Sequence, residues 1–225
     1  MHRLSSLLGS LHNAVFIFDK DGTLVDTETL YFEVYNRVIS AFGCRHDLET
    51  HARMMSKTHA GCLRILQDRH PALPQGDEAL PSLLTSMHVH VKDVRRESGS
   101  PAMPGASNLL SSCRERGIRI AMATSATREN ALMDLQTLGW LEHFEAVVTG
   151  DDVTLHKPHP DPYLLAARLM DAAPSDCIAL EDSPSGVRSA HAAGIRVLFV
   201  RDARFGITPP PEAALTINSL EELIL

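Results

Sequence analysis

The stretch that decides the fold is Asp19-Lys20-Asp21-Gly22-Thr23-Leu24, which directly follows the apolar segment Ala14-Val15-Phe16-Ile17-Phe18. The apolar segment predicts a buried strand. Asp19 and Asp21 lie two residues apart where this strand gives way to a glycine turn, and like charges at that distance repel, more strongly when partly buried. A hard divalent cation with oxygen ligands, Mg²⁺ above all, offsets that repulsion. Since open α/β sheets bind ligands at the carboxyl ends of their strands, the stretch predicts a metal-assisted site.

Composition limits the classes of protein that this chain can be. Its 225 residues fit one large domain or a core with a smaller one, and the 44% hydrophobic content is typical of globular proteins. A formal net charge of -7 argues against broad electrostatic binding to nucleic acid or to an anionic membrane. No apolar run approaches the roughly 18 residues that a membrane span needs. A local basic pocket for one phosphate is still allowed.

The cysteines and the first residues bear on location. The four cysteines are widely spaced, form no Cys-x-x-Cys pair and make no zinc-type cluster with the 12 histidines, so we expect reduced thiols in a cytoplasmic protein rather than structural zinc. They are Cys44, Cys62, Cys113 and Cys177. Residues 1–12, with Leu4, Leu7, Leu8 and Leu11, also allow a poor signal peptide. Serine and glycine interrupt that apolar run and a strand follows at once, which disfavours this alternative.

From Gly105 onward, apolar runs and amphipathic segments alternate, and glycines end several of them. This rhythm predicts a parallel sheet of the Rossmann-like α/β class, covered by helices on both faces. Helices are predicted at 106–116, 128–138, 161–170 and 185–193. Strands are predicted at 118–124, 146–149, 177–180, 196–200 and 214–217, followed by a helical turn at 220–224.

The segment from about 27 to 100 breaks this rhythm, since it contains no strand pattern. Helices are predicted at 29–42, 53–69 and 80–97, and Leu30, Val34, Val38 and Phe42 form one apolar stripe on the first of them. We therefore expect a core domain of residues 1–26 and 101–225 and an inserted helical domain of residues 27–100. One hinge is expected at 26–27, and the other around Pro101, Pro104 and Gly105.

Four polar signals follow the carboxyl ends of predicted strands, so the topology brings them to one edge of the sheet. They are Asp19 with Asp21, Thr124 with Ser125, Lys157-Pro158, and Glu181 with Asp182. Taken singly, each has an ordinary structural explanation: an Asx-type turn, a helix N-cap, a solvated loop lysine and a second helix cap. Taken together, the carboxylates, hydroxyls and ammonium suit a divalent metal and a phosphate dianion.

Phosphoryl transfer requires an in-line nucleophile, charge neutralisation and a proton source for the leaving oxygen. We expect Asp19 to be the nucleophile that forms an aspartyl-phosphate, and Asp21 to be the general acid and base. Asp182 completes the metal shell, with Glu181 acting through water or as an anchor. Phosphate oxygens are expected on Lys157, Thr124 and Ser125.

These motifs, in this order and rough spacing over nearly the whole chain, resemble the haloacid dehalogenase (HAD) superfamily. The resemblance implies that Mg²⁺ contacts the Asp19 side chain, the main-chain carbonyl of Asp21 and Asp182. The helical insertion resembles the family's small cap, as in phosphoglycolate phosphatases, sugar-phosphate phosphatases and β-phosphoglucomutase. Asp21 points to phosphate ester chemistry, because the dehalogenases lack an Asp at that position and phosphonoacetaldehyde hydrolases typically carry a small residue there.

The predicted function is a Mg²⁺-dependent phosphatase of a small phosphorylated metabolite, of sugar phosphate or phosphoglycolate type, acting as a monomer or homodimer. A phosphomutase is the alternative, although β-phosphoglucomutase has a cap histidine twelve residues after its nucleophile where this chain has Tyr31. A non-catalytic phospho-acceptor or binding protein is more remote, since receiver domains lack the helical insertion and are about half this length. No nucleic acid or membrane partner is expected.

The inserted domain offers candidates for substrate specificity. Glu28 and Tyr31 lie near the hinge, and Arg53, Lys57 and His59 lie near a predicted loop, where a solvent-exposed charge is the plainer explanation for each of those three. His88 and His90 are spaced so that they diverge on a helix, and we expect them at the surface. Trp140 is expected in the core or at an interface.

Overall fold

The computed structural model describes residues 14–55 and 57–223. Six parallel strands form one sheet in the order β3-β2-β1-β4-β5-β6. They are β1 (Val15–Phe18), β2 (Arg119–Ala123), β3 (Ala146–Val148), β4 (Cys177–Glu181), β5 (Arg196–Val200) and β6 (Leu215–Ile217). The predicted parallel α/β sheet is confirmed. Since β1 lies between β2 and β4, the strand order reverses beside it, which is where ligands bind in such sheets.

Both faces of the sheet are buried, which explains why its strands are continuous apolar runs rather than alternating ones. In β1, Val15 and Ile17 belong to one hydrophobic core, while Phe16 and Phe18 belong to the other. Four α-helices between residues 102 and 225 supply residues to these two cores. They are α5 (Ala106–Glu115), α6 (Arg128–Thr137), α7 (Asp161–Leu169) and α8 (Pro184–Ala192), each within one or two residues of its predicted bounds.

The chain divides into two compact units, and the second of them, Thr27–Pro101, contains four α-helices, one short 3-10 helix (Asp77–Ala79) and no strand among its described residues. The α-helices are α1 (Thr27–Ser40), α2 (Leu48–Met54), α3 (His59–Arg69) and α4 (Leu80–Ser98). The single helix predicted at 53–69 is wrong. The structure has two helices there, because Thr58 adopts an extended backbone and caps α3 by accepting a hydrogen bond from the Gly61 N–H.

The apolar stripe of α1 is correct at three of its four predicted positions. Leu30, Val34 and Val38 are buried in the core of the helical unit. Phe42 lies beyond the end of α1 at Ser40 and is 37% exposed, so its placement on the buried stripe is wrong. The helix ends early because its last residues tighten into a turn, in which the Phe42 N–H donates to the Ile39 carbonyl.

The remaining sequence predictions concern single residues, the cysteines and the last helical turn. Trp140 is buried in the core that contains Phe16, and His88 is exposed whereas His90 is half-buried. All four cysteines are free thiols. The last helical turn spans Leu220–Glu222, and Ile224 and the leucines of residues 1–12 lie outside the described residues. None of the helices in 14–55 and 57–223 is long and apolar enough to cross a membrane.

Candidate active site

Asp19 lies directly after β1, in the middle of the sheet. Phe18 pairs in register with Met122 of β2 and Leu180 of β4, and the Asp19 N–H donates to the Leu180 carbonyl at 2.9 Å. This register brings Asp19 level with Glu181, the last residue of β4. A strand end of this kind fixes the backbone of Asp19, because the sheet hydrogen bonds continue up to the aspartate itself.

Lys157 connects Asp19 to Glu181. Its ammonium donates to Asp19 Oδ1 at 2.5 Å, to Glu181 Oε1 at 2.6 Å and to the Ala123 carbonyl at 2.8 Å. These three bonds account for all three donors of an ammonium group. The two carboxylates and burial act on Lys157 in opposite directions, and the carboxylates prevail, so its pKa is raised above the ordinary value. Lys157 is therefore a charged cation fixed beside Asp19.

Glu181 is fully buried, and protein donors surround both of its oxygens. Oε1 accepts from Lys157 and from the Tyr163 hydroxyl at 2.8 Å, while Oε2 accepts from the Ser183 N–H at 3.2 Å and the Ser183 hydroxyl at 3.1 Å. Gly186, in the first turn of α8, makes room for this carboxylate, because a Cβ there would overlap the Glu181 oxygens. The carboxylate is held by four donors, which identifies it as an anchor for Lys157.

Asp19, Glu181 and Asp182 form an acidic group that could hold a metal ion. Each offers a carboxylate oxygen, and these oxygens lie within 4.8 Å of one another. The Asp182 carboxylate accepts from the Thr23 hydroxyl at 3.3 Å and lies so close to Gly22 that a Cβ there would overlap it. Gly22 also has a φ of +82°, in the left-handed region that favours glycine. An all-oxygen, anionic donor set of this kind fits Mg²⁺.

The pKa of Asp19 is raised from 3.8 to about 7. Burial is the main cause, and the carboxylates of Glu181 and Asp21 add to it, while Lys157 opposes the shift. A divalent cation beside Asp19 would favour its ionised form. The environment of this aspartate therefore fits a cation as a further component of the site.

Asp21 is more accessible than Asp19, with 38% of its side chain exposed against 9% for Asp19. Its Oδ2 accepts from the Thr124 hydroxyl at 3.3 Å, and the same hydroxyl accepts from the Ala126 N–H at 3.0 Å. Ser125 is exposed at the end of β2. Neither Thr124 nor Ser125 caps the following helix, so that alternative is wrong: the N-cap of α6 is Thr127.

The remaining alternatives are also resolved by geometry. Lys157 is 5% exposed and bonded to two carboxylates, so it is not a solvated loop lysine. In the motif Glu181-Asp182-Ser183 the cap of α8 is Ser183, whose hydroxyl accepts from the Gly186 N–H at 3.0 Å. Capping and anchoring are combined here, because the same hydroxyl donates to Glu181.

The four candidates for specificity lie in or beside the helices of the second unit. Glu28 on α1 accepts from His51 Nε2 at 3.0 Å, and Tyr31 lies 5.0 Å from the His59 ring between centroids. Arg53 is exposed and pairs with Glu49 one helical turn earlier, and Lys57 is exposed. Within this unit Glu28 and Tyr31 are thus part of a histidine-rich cluster, whereas Arg53 and Lys57 are surface cations.

Sequence reasoning missed two groups of residues near the site. Tyr163 is fully buried on α7, donates to Glu181 and places its ring 5.0 Å from the Lys157 ammonium. Lys20 is fully buried and bonds to Asp21 and to Asp134 of α6. A signal existed for both, since a tyrosine or aspartate on the buried stripe of a helix requires a polar partner.

Comparison with known proteins identifies relatives over most of the chain. Residues 16–200 match the family model of the haloacid dehalogenase-like hydrolases. A phosphorylated carbohydrates phosphatase of Thermotoga maritima is 36% identical over 81% of this chain and 82% of its own length. Hexitol phosphatase A of Escherichia coli is 34% identical over 92% of both chains. The crystal structure of a Thermotoga maritima protein provisionally assigned as a β-phosphoglucomutase matches with a TM-score of 0.77 and 32% identity, over 92% of this chain and 95% of that one.

Proposed function

The chain belongs to the haloacid dehalogenase-like hydrolase family, and from this membership we propose that it is a Mg²⁺-dependent phosphatase of small phosphorylated metabolites. The observation that carries the proposal is the meeting of Asp19, Lys157, Glu181 and Asp182 at one strand edge, although up to 163 residues separate them in the chain. A nucleophile, a fixed cation and a set of oxygen ligands are the parts that phosphoryl transfer requires.

Asp19 and Asp182 are the residues that would hold Mg²⁺, with the main-chain carbonyl of Asp21. Glu181 is assigned as an anchor of Lys157 instead, because four protein donors already surround its oxygens. When bound, the ion supplies charge neutralisation for the phosphoryl oxygens. The Asp182 carboxylate is kept in place by Gly22 and Thr23 from the loop that also carries Asp19 and Asp21.

In the first half-reaction the Asp19 carboxylate attacks phosphorus, and the bond between phosphorus and the ester oxygen breaks. Lys157 fixes Asp19 and adds positive charge beside the transferred group. Asp21 donates a proton to the departing alkoxide, for which its partial exposure supports a role in contact with substrate. Thr124 and Ser125, at the end of β2, are assigned to phosphate oxygens.

In the second half-reaction a water molecule attacks the phosphorus of the aspartyl-phosphate. Asp21, now ionised, accepts a proton from this water, and the bond between phosphorus and the Asp19 oxygen breaks to release inorganic phosphate. The Asp19 carboxylate is thereby regenerated. One residue thus acts first as acid and then as base, on the same side of the phosphoryl group.

The substrate class follows from the relatives and from the second unit. The Thermotoga maritima relative acts on phosphorylated carbohydrates and the Escherichia coli relative on hexitol phosphates, as their names state. We assign a phosphorylated sugar or polyol to this enzyme, and the unit Thr27–Pro101 to the role of a cap that selects it. Glu28, Tyr31, Arg53 and Lys57 are the proposed specificity residues of that cap.

A phosphomutase is the second candidate, favoured by the resemblance to the structure provisionally assigned as a β-phosphoglucomutase. A mutase returns the phosphoryl group to another hydroxyl and needs a bisphosphate activator. The two named phosphatases, each at least 34% identical over most of the chain, favour the hydrolase.

The test is a phosphate-release assay against a panel of sugar, polyol and glycolate phosphates, with Mg²⁺ and with a chelator. The proposal expects release from at least one sugar or polyol phosphate, loss of activity with the chelator and no activity in the Asp19→Asn variant. Release by Asp19→Asn equal to that of the wild type contradicts it. Isomerised phosphate ester without net phosphate release identifies a mutase.

A further inference from the structure

Lys20 and Asp134 form a buried ion pair that the chemistry above does not use. The Lys20 ammonium donates to Asp134 Oδ2 at 2.6 Å and to Asp21 Oδ1 at 2.7 Å. The Lys20 side chain is completely buried, and that of Asp134 is 2% exposed, while Asp21 is 38% exposed. The pair therefore extends from the interior of the protein to the carboxylate assigned as the general acid and base.

Stability alone does not account for this pair. Asp134 occupies a core-facing position of α6, beside the buried Ala131 and Leu135, where an apolar side chain would serve the packing. Desolvating two charges is costly, and replacing a buried ion pair by apolar residues of similar volume is often neutral or stabilising. A charge pair at this position is thus better explained by what it does for its accessible neighbour, Asp21.

Hydrogen bonds to both carboxylate oxygens restrict the orientation of the Asp21 side chain. Oδ1 accepts from Lys20 and Oδ2 from the Thr124 hydroxyl at 3.3 Å. Lys20 itself cannot shift easily, since its carbonyl accepts from the Leu24 and Val25 N–H groups, both at 2.9 Å, and its ammonium is held by Asp134. The Asp21 carboxylate is consequently held by a lysine whose backbone and ammonium group are both fixed by hydrogen bonds.

Building on the proposed function, we propose that Lys20, secured by Asp134, is a positioning residue that aims the Asp21 carboxyl at the oxygen of the leaving group. General acid catalysis depends on this positioning, because the proton donor must lie within hydrogen-bond reach of the atom that it protonates. Lys20 acts through the Asp21 carboxyl group, to which it donates, and Asp134 acts through Lys20.

If Lys20 and Asp134 position the general acid, removing them should slow aspartyl-phosphate formation by a factor that depends on the leaving group. A sugar or alkyl phosphate expels a basic alkoxide and needs the proton from Asp21, whereas p-nitrophenyl phosphate expels a stabilised phenolate and does not. The value of kcat/KM covers the steps up to the first irreversible one, the formation of the aspartyl-phosphate. Comparing kcat/KM for the two esters therefore isolates the acid step from the later attack of water.

The experiment compares the wild type, Asp21→Asn and the double variant Lys20→Met/Asp134→Leu, each checked for fold by circular dichroism and thermal melting. The wild type and Asp21→Asn establish how strongly the alkyl ester depends on the acid. For the double variant we expect kcat/KM to fall on the order of 100-fold with the sugar or polyol phosphate that the panel identifies as a substrate. The fall with p-nitrophenyl phosphate should be less than about threefold, since general acid catalysis contributes factors of this size to esters with a basic leaving group.

Equal losses of kcat/KM on both esters, or no loss on either, overturn the proposal. If the double variant does not fold, Asp134→Asn replaces it. This variant keeps an oxygen acceptor for Lys20, and we expect a smaller loss with the same preference for the alkyl ester. A wild type that releases phosphate from no sugar or polyol phosphate of the panel contradicts the proposed function itself. A third outcome contradicts only the role of Lys20 and Asp134. In that outcome Asp21→Asn loses activity on the alkyl ester, but the double variant keeps the wild-type ratio of kcat/KM between the two esters.

Discussion

Substituting Gly186 by alanine tests how tightly the anchor of the site is packed. An added Cβ overlaps the Glu181 carboxylate, which four donors hold in place. Overpacking costs about 1–3 kcal/mol, and losing one hydrogen bond to a charged group about 1.5–3 kcal/mol. Alanine regains about 0.5–1 kcal/mol over glycine in a helix. We therefore expect a net loss of roughly 2–5 kcal/mol in the free energy of unfolding.

The assay for Gly186→Ala is thermal melting followed by circular dichroism, alongside phosphate release. For a chain of this size the melting temperature should fall by about 4–20 °C, and activity should fall because Lys157 loses its anchor. The matched control is Gly61→Ala on α3, where a Cβ meets Thr58 Oγ1 at an ordinary 3.4 Å and the melting temperature should stay or rise. A Gly186→Ala protein that melts at the same temperature as the wild type contradicts the tight packing of Gly186 against Glu181.

Three further predictions concern single residues. Tyr163→Phe removes the hydroxyl that donates to Glu181 at 2.8 Å and should lower stability by about 1–3 kcal/mol in denaturant titrations, whereas an unchanged midpoint argues against that bond. Because burial raises the pKa of Asp19 from 3.8 to about 7, the folded protein retains a proton that the unfolded chain releases, and stability is lost as the pH rises through that range. In metal-free protein Asp19→Asn should thus melt above the wild type near pH 8, with a gap that narrows towards about pH 4, and a constant gap contradicts this. Arg53→Ala breaks an exposed ion pair with Glu49 and should change stability by less than about 0.5 kcal/mol, so that any change in KM for a sugar phosphate reports contact with substrate.

The sheet could be predicted from the sequence because both of its faces are buried. Strands of this kind are short apolar runs, and here glycines such as Gly117 and Gly194 separate them from the preceding helices. The helix boundaries of the second unit, Thr27–Pro101, are harder to predict from the sequence. The sequence does signal the break before α3, because the polar residues 56–59 interrupt the apolar pattern and Thr58 is an N-cap residue directly before His59.

At the site, the motifs predicted which residues meet but not how they are connected. Parallel strand ends bring Asp19 and Glu181 together, whereas the three bonds of Lys157 depend on the loop between β3 and α7, whose path periodicity does not determine. The Lys20–Asp134 pair joins residues 114 positions apart and belongs to no motif. Its trace in the sequence is an aspartate on the apolar stripe of α6, where an isolated charge would be unfavourable.

The proposed mechanism depends on transfer of the phosphoryl group to the Asp19 carboxylate. The most direct measurement is to quench the enzyme during turnover of a sugar phosphate, reduce any acyl phosphate with borohydride and map the peptides by mass spectrometry. We expect homoserine at position 19 when substrate is present and unmodified Asp19 when substrate is omitted. Sustained phosphate release with unmodified Asp19, or with reduction at another carboxylate, would contradict it.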